Sequence, residues 1–485
     1  MTAVQADQER SATRRVLTGS SWIVISQGLT FLLVFLAQRI ILSTLSKEDN
    51  GTLFFVRRIT DIVVVILADF GLNGIIIRRA VQEPDRLPAI VSSAAAFRLV
   101  MWTVATAIAA ASATMAGYSA MDVIIWSCFV LMASRTTLLR YVFEVPLRTT
   151  SRFGLVSALG ILDVVLFALI VWLRRHDLTP TSVISAFLLA AIPGMLVMLL
   201  LDRGRNIHPR FVEVKEIRNL LREAMPVIVA VGLVLLHQNI DSLILEAYGT
   251  ARDMGTLGAV YAAVGQMVAF IPVGVSYAAM PEVARFSENQ TAERALVIRD
   301  VLRGMIMVGV LMAAVIGPVM PFFVDLVSKG RYADDVWSFY LMIWTAPGVA
   351  VLVFAQELAV TMRRRGQLLL IAGVLVGATL CFGLALIPPM HAEGAVIARL
   401  ATTIVAAGVS FMVMRSIVGQ ALDLLFVLRC VVAVSLSAAI TTYAAMNVGS
   451  VSGSLMAVVG TIVAGVALGL VRVDDVRRLA GVLRR

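Results

Sequence analysis

The sequence predicts an all-α polytopic membrane protein with about fourteen transmembrane helices. Three observations carry that reading. Long apolar stretches recur almost from end to end of the 485 residues. Hydrophobic residues make up 59% of the chain and charged ones 15%, with a mean hydropathy of +0.91, which is too apolar for a soluble domain of this size. The stretches also approach the roughly 20 residues that carry a helix across a bilayer core. Helices suit that solvent because lipid offers backbone polar groups no outside partner. Barrel strands alternate polar and apolar residues. Here 62–67 and 368–375 are continuously apolar, which excludes a barrel.

In chain order, spans are expected at 17–42, 54–77, 88–115, 120–140, 155–173, 182–201, 224–247, 257–281, 300–324, 336–361, 367–388, 394–414, 424–446 and 453–471. The tail 1–16 carries Arg10, Arg14 and Arg15. The run 17–42 is too long for a signal peptide and has no small-residue cleavage site after it, so it reads as a retained span. Six spans form an N-terminal lobe, 17–202, and a basic linker occupies 203–223. Eight more spans form a C-terminal lobe, 224–471, before a basic tail, 472–485. Within the linker, the amphipathic run 211–221 suits a short helix on the membrane surface.

Loop charge gives the orientation. Alternate loops carry Arg78, Arg79 and Arg86, then Arg140, Arg148 and Arg152, then the linker bases, then Arg363, Arg364 and Arg365. The opposite loops hold only Lys47, Arg174, Arg175, Arg252, Lys329 and Arg331. This bias is expected to place the linker and both termini in the cytoplasm. It also accounts for the net charge of +10 without any nucleic-acid partner.

Enzyme readings lack material. Cys128, Cys381 and Cys430 all lie in apolar stretches and form no disulfide framework or metal spacing. There is no Walker loop, no nucleophile–histidine constellation and no long loop to hold a catalytic domain. No catalytic residue, metal or cofactor is expected. Two readings without chemistry stay open, a transporter coupled to H+, Na+ or the membrane potential and a non-transporting scaffold.

Ionisable residues within spans are costly and face a cavity or a partner. Arg98 stands about ten residues, or ~15 Å, into span three, and suits either a cavity or a buried ion pair. Arg57 and Arg58 lie in span two, Arg39 ends span one, and Arg399 is shallow in span twelve, where snorkelling also fits. These five arginines are the candidate substrate-binding groups. Asp61 shares a face with Arg57 and Arg58, as a neutralised cluster or a functional one. Asp69 is within reach of Arg78 or Arg79, and Asp163, mid-span, needs a partner such as Arg98 or Arg135. His237, Gln238, Asn239 and Asp241 crowd span seven, where Asp241 reads as a proton or cation site or as part of interhelical hydrogen bonding. Gly71, Gly74, Gly265, Pro272, Gly274, Pro318, Pro347 and Gly348 interrupt spans, for bending or close packing.

The halves share a weak pattern, Gly51-x-x-Phe54 and Gly258-x-x-Tyr261, each entering a span after one that bears a charge. Paired halves with a site between them are a common transporter plan. The loop Leu45-Ser46-Lys47-Glu48-Asp49-Asn50-Gly51-Thr52-Leu53 and Ala68-Asp69-Phe70-Gly71-Leu72 with Arg78 carry a resemblance. So do Pro226, Asp241-Ser242-Leu243-Ile244-Leu245, Gly258-x-x-Tyr261, and Pro281 with Arg285. Over about residues 15–420, the chain resembles the polysaccharide-flippase branch of the multidrug/oligosaccharidyl-lipid/polysaccharide exporter (MOP) superfamily. The resemblance implies a two-lobed, V-shaped, alternating-access transporter that moves prenyl-pyrophosphate-linked sugars outward. Membrane lipids and a polysaccharide polymerase or export apparatus are its implied partners. On that reading Arg98, with Arg57 or Arg58, receives the pyrophosphate, since arginine replaces lost hydration with planar, charged, bidentate contacts.

The chain also resembles the peptidoglycan-precursor (lipid II) flippases, which implies sodium ligands in spans seven and eleven. Asp241 suits the first, but 368–387 holds no Asp, Asn, Glu or Gln. A cation-coupled multidrug exporter is the other alternative.

Overall fold

The structure, a computed structural model, describes residues 28–470 apart from 70, 134–137, 151, 269–271, 273–290, 363, 420–421 and 448–449. Both tails, the start of span one, Phe70, Arg135, Gly274, Pro281 and Arg285 therefore lie outside the described residues. Among the described residues there is no β-strand. The chain divides into two compact units, 1–239 and 240–485.

In the first unit, α1 spans Gly28–Thr44 and α2 spans Lys47–Thr60. Ser46 caps α2: its hydroxyl accepts from the Asp49 N–H at 2.9 Å, with Glu48 and Asp49 in the first turn. The helix then widens into a π-turn, Asp61–Val65, followed by one α-turn, Ile66–Asp69. Gly71, at φ 62°, takes a left-handed conformation that lets the chain restart as α3, Leu72–Gln82. Next come α4 (Leu87–Met115), α5 (Ala120–Met132), α6 (Leu139–Thr149), α7 (Phe153–Leu173) and α8 (Pro180–Asp202). Ala105, Ala109 and Ala113 repeat every four residues along α4 and are fully buried, so neighbouring helices approach its backbone closely. Val64, Ala68, Val123, Trp126, Phe167 and Ile184 pack into the same core.

A single 3₁₀ turn, Pro209–Phe211, leads into α9, Val214–Tyr248. The expected separate surface helix is thus absent. No Gly or Pro interrupts 214–225, so the amphipathic run continues directly into the expected seventh span. The division between the units falls inside α9.

The second unit continues with α10, Ala251–Val260, opened by a reciprocal Thr250–Asp253 capping box. A π-turn, Tyr261–Gly265, follows. Then come α11 (Thr291–Ile316) and α12 (Met320–Ser328), bent by 73° at the break containing Pro318. A second pair, α13 (Val336–Ile343) and α14 (Ala346–Thr361), bends by 40° just before Pro347. The helical run α15, Arg365–Val418, is broken at His391, where φ is 50° and ψ −123°. That break follows Pro388 and Pro389 and falls between the expected eleventh and twelfth spans. The unit ends with α16 (Leu424–Asn447) and α17 (Ser450–Ala467).

The caps of α2 and α10 reveal an internal repeat. Ser46-x-x-Asp49-x-Gly51-Thr52-Leu53 matches Thr250-x-x-Asp253-x-Gly255-Thr256-Leu257, and each capped helix runs into a π-turn. Gly51 therefore pairs with Gly255, three residues from the register that Gly258-x-x-Tyr261 suggests. In the new register Tyr261 stands opposite Arg57.

Among the described residues, six helices are long and apolar enough to cross a membrane, or eight if each bent pair is one span. Large apolar side chains such as Leu200, Phe322, Leu384 and Met412 lie exposed on them, as a lipid solvent allows.

Candidate functional site

The intramembrane charges sort into arginines held by carboxylates and arginines held mainly by aromatic rings. Arg98 belongs to the first group. It is fully buried on α4, and its guanidinium donates to Asp69 Oδ1 at 2.8 Å, to Asn73 Oδ1 at 2.8 Å and to the Leu138 carbonyl at 3.0 Å. Of its two expected readings, the geometry is that of the ion pair. The expected partners of Asp69, Arg78 and Arg79, reach Glu223 and Glu216 instead.

Asp163 pairs with Arg140 at 3.0 Å and not with Arg98, whose donors are already turned to Asp69. Arg140 is wholly buried with Glu144 beside it, and Arg148 holds Glu144 from the other side at 2.7 Å. Sequence reading counted Arg140 as a loop charge because the expected span ends there. The chain instead begins α6 at Leu139, which carries Arg140 inward. Gly194 on α8 leaves room for this pair: a Cβ at 194 would strike both Arg140 and Asp163.

In the second unit, Arg399 does not snorkel. It is buried, donating to Asp241 Oδ2 at 2.9 Å and to the Tyr261 hydroxyl at 2.6 Å. That hydroxyl in turn donates to Asp241 Oδ2, while Asp241 Oδ1 accepts from the Ser242 N–H at 2.8 Å. Both carboxylate oxygens are engaged, so Asp241 is built as an arginine partner and not as an open cation ligand. Tyr261 entered the sequence reading only as a motif residue. A tyrosine in an apolar helix needs a hydroxyl partner, and that rule is the available signal.

Arg57 and Arg58 form the second group. Both are half-buried on α2. The Arg57 guanidinium lies 4.8 Å from the Trp126 ring centre and 5.5 Å from that of Phe187. Among the described residues, no carboxylate lies at ion-pair distance from it. Asp61, one turn on, accepts from Trp126 Nε1 at 3.1 Å. Arg58 lies 4.8 Å over Phe54 and donates to Asn239 Oδ1 at 3.0 Å, while Asn239 Nδ2 donates to the Leu235 carbonyl at 2.7 Å. Arginine stacked on a ring uses its face and keeps its N–H groups in the plane for a further acceptor. Trp126 and Phe187 were not singled out in the sequence.

The polar run of span seven does not converge. His237 is buried, Gln238 exposed, Asn239 turns to Arg58, and Asp241 to Arg399. Arg39 occupies an exposed position on α1. Among the described residues, no group of three or more His, Cys, Asp or Glu side chains is placed to hold a metal ion.

Residues 16–290 match the family described as polysaccharide biosynthesis protein. The chain belongs to that family. No curated protein matches it in sequence. In fold it is similar to an inward-facing multidrug resistance MATE family transporter of the MOP superfamily: TM-score 0.65, 14% identity, covering 82% of this chain and 98% of that one. It is also similar to the lipid II flippase MurJ in an inward closed conformation, with TM-score 0.61, 9% identity, and 92% and 97% of the two chains covered. A MOP superfamily transporter from Pyrococcus furiosus matches at TM-score 0.61 and 14% identity, over 84% of this chain and 96% of its own. The family member described here is thus a multi-pass, all-helical membrane protein with the MOP transporter fold. These neighbours are transporters or flippases by name, and none is an enzyme.

Proposed function

We propose that this protein flips a prenyl-pyrophosphate-linked oligosaccharide from the cytoplasmic to the outer leaflet of a bacterial inner membrane, for surface polysaccharide export. Arg57 and Arg58 receive the pyrophosphate. The observation that supports them is their pairing: Arg98, Arg140 and Arg399 each face a carboxylate, whereas Arg57 rests on the rings of Trp126 and Phe187. Two adjacent guanidiniums at half-buried positions suit a dianionic group that must shed water before it crosses. The prenyl tail stays in lipid, and the expected polymerase or export apparatus receives the product. Coupling to H+ or the membrane potential belongs to the same proposal, since Asp241, the expected sodium ligand, is committed to Arg399.

A lipid II cargo is a second reading, favoured by the coverage of the MurJ fold over 92% of the chain. It needs the same pyrophosphate chemistry. Mass spectrometry of lipids from cells lacking the gene, with a probe of sidedness, separates the two by the sugar trapped on the cytoplasmic face. Re-expressed wild type clears the trapped lipid, whereas Arg57→Ala and Arg58→Ala, made at normal levels, do not. Full clearance by both variants, or no trapped lipid in the deletion, overturns the proposal.

A further inference from the structure

The segment joining the expected lobes is folded onto the first unit, not loosely solvated. Ser92 Oγ donates to the Asn206 carbonyl at 3.0 Å and accepts from the His208 N–H at 3.1 Å. Ser93 Oγ accepts from the Glu213 N–H at 2.9 Å. Between 202 and 223 the chain carries four carboxylates and six lysines or arginines, and the fold separates them by sign.

The carboxylates are engaged by partners within the first unit, although Glu213 and Glu223 stay exposed. Asp202 accepts from Asn206 Nδ2 at 2.8 Å and from the Ile207 N–H at 3.0 Å. Glu213 meets Arg86 at 2.9 Å, and fully buried Glu216 meets both Arg79 and Arg86. Glu223 meets Arg78. The bases turn outward: Arg203, Arg205, Arg210, Lys215, Arg218 and Arg222 are all exposed. Among the described residues, none of the six has a carboxylate at ion-pair distance.

On α9, Lys215, Arg218 and Arg222 recur at i, i+3 and i+7. At about 100° and 1.5 Å per residue they fall within about 60° of one another and span about 10 Å of helix. The surface borders the membrane, because Arg203 directly follows α8, one of the membrane-crossing helices. Val214, an apolar side chain 80% exposed, immediately precedes Lys215, and exposed Leu200 and Leu201 end α8 just before Arg203. Cationic side chains mixed with apolar ones match the boundary between headgroups and acyl chains.

We propose that this linker is a docking surface for the headgroups of anionic phospholipids in the leaflet it borders. Engaging every carboxylate with a partner in the first unit lessens the local competition for those headgroups, and the exposed bases supply the attraction. Each base near an anionic surface contributes about 1 kcal/mol, screened beyond roughly 8 Å at physiological salt.

The test uses the full-length protein, delipidated in detergent and titrated under native mass spectrometry with phosphatidylglycerol and with phosphatidylcholine. Phosphatidylglycerol binds more tightly. The triple variant Lys215→Gln, Arg218→Gln, Arg222→Gln weakens it about tenfold or more and leaves phosphatidylcholine unchanged. Arg218→Lys with Arg222→Lys keeps most of the preference. A control, Arg174→Gln with Arg175→Gln, neutralises exposed charges at the opposite end of α8 and keeps wild-type binding. Equal phosphatidylglycerol affinity in the wild type and the triple variant, with melting temperatures matched, overturns the proposal. So does a titration with farnesyl pyrophosphate in which that ligand alone loses affinity in the triple variant, because the surface then serves the transported lipid.

Discussion

The Arg140 guanidinium lies 3.0 Å from the Asp163 carboxylate, and the space they fill is the space a side chain at position 194 would need. Gly194→Ala must therefore displace either α8 or the ion pair. Overpacking costs about 1–3 kcal/mol, and a separated buried pair adds to it. The purified variant is expected to melt several degrees below wild type. An unchanged melting temperature would show that α8 yields without loss.

Arg98 and Asp69 test whether the buried charges are structural. Removing one partner leaves the other uncompensated, at about 3–5 kcal/mol. Arg98→Ala and Asp69→Ala are each expected to lower the amount of folded protein in the membrane. Arg98→Met with Asp69→Leu recovers much of it, because an apolar pair leaves no orphan charge. If Arg98→Ala folds normally and only transport fails, Arg98 contacts substrate after all. Fluorescence-detected size exclusion alongside a transport assay distinguishes the two.

Trp126 has two jobs that substitutions separate. Its ring lies under Arg57 and its Nε1 donates to Asp61. Trp126→Phe keeps a ring but leaves Asp61 one donor short, for a stability loss of about 1–3 kcal/mol. Trp126→Leu also removes the cation–π contact, worth ~1 kcal/mol, and is expected to slow transport about fivefold beyond Trp126→Phe. Equal transport in the two variants would mean that the ring does not position Arg57.

Both Asp241 oxygens already accept hydrogen bonds, from Arg399, Tyr261 and Ser242. Replacing external and internal Na+ by choline is expected to leave transport in vesicles unchanged. A tenfold loss would require Asp241 to abandon Arg399 during the cycle. Tyr261→Phe removes the hydroxyl that lies between them and lowers stability by about 1–2 kcal/mol, read as a drop in melting temperature.

The helical class and several interruptions were legible in the sequence, because an apolar run and a proline act locally. Pro388 and Pro389 announced the break that the chain makes at His391, and Pro318 and Pro347 stand at the two bent pairs. The depth of Arg98 in an apolar run announced a buried charge. Its partner was not legible, since Asp69 is brought to it by helix packing and not by spacing. The same holds for Asp163, whose partner Arg140 looked like a loop residue until α6 placed it. Trp126 beside Arg57 is a contact between helices, which periodicity within either helix does not encode. The repeated cap was present in the letters, but the aromatic residues of the two halves match in a register three positions away.

The order in which the charged partners are synthesised bears on how this chain enters a membrane. Arg98 follows Asp69 by 29 residues and Asp163 follows Arg140 by 23, so each of these pairs is complete within a span or two of translation. Arg399 follows Asp241 by 158. For all that length the nascent chain carries a carboxylate whose cation has not yet been made, and an unpaired aspartate within a membrane helix costs up to about 3 kcal/mol to insert. Biogenesis is therefore expected to be most exposed to quality-control proteases between the synthesis of α9 and that of α15. Variants that lose Arg399 extend that exposure to the life of the protein.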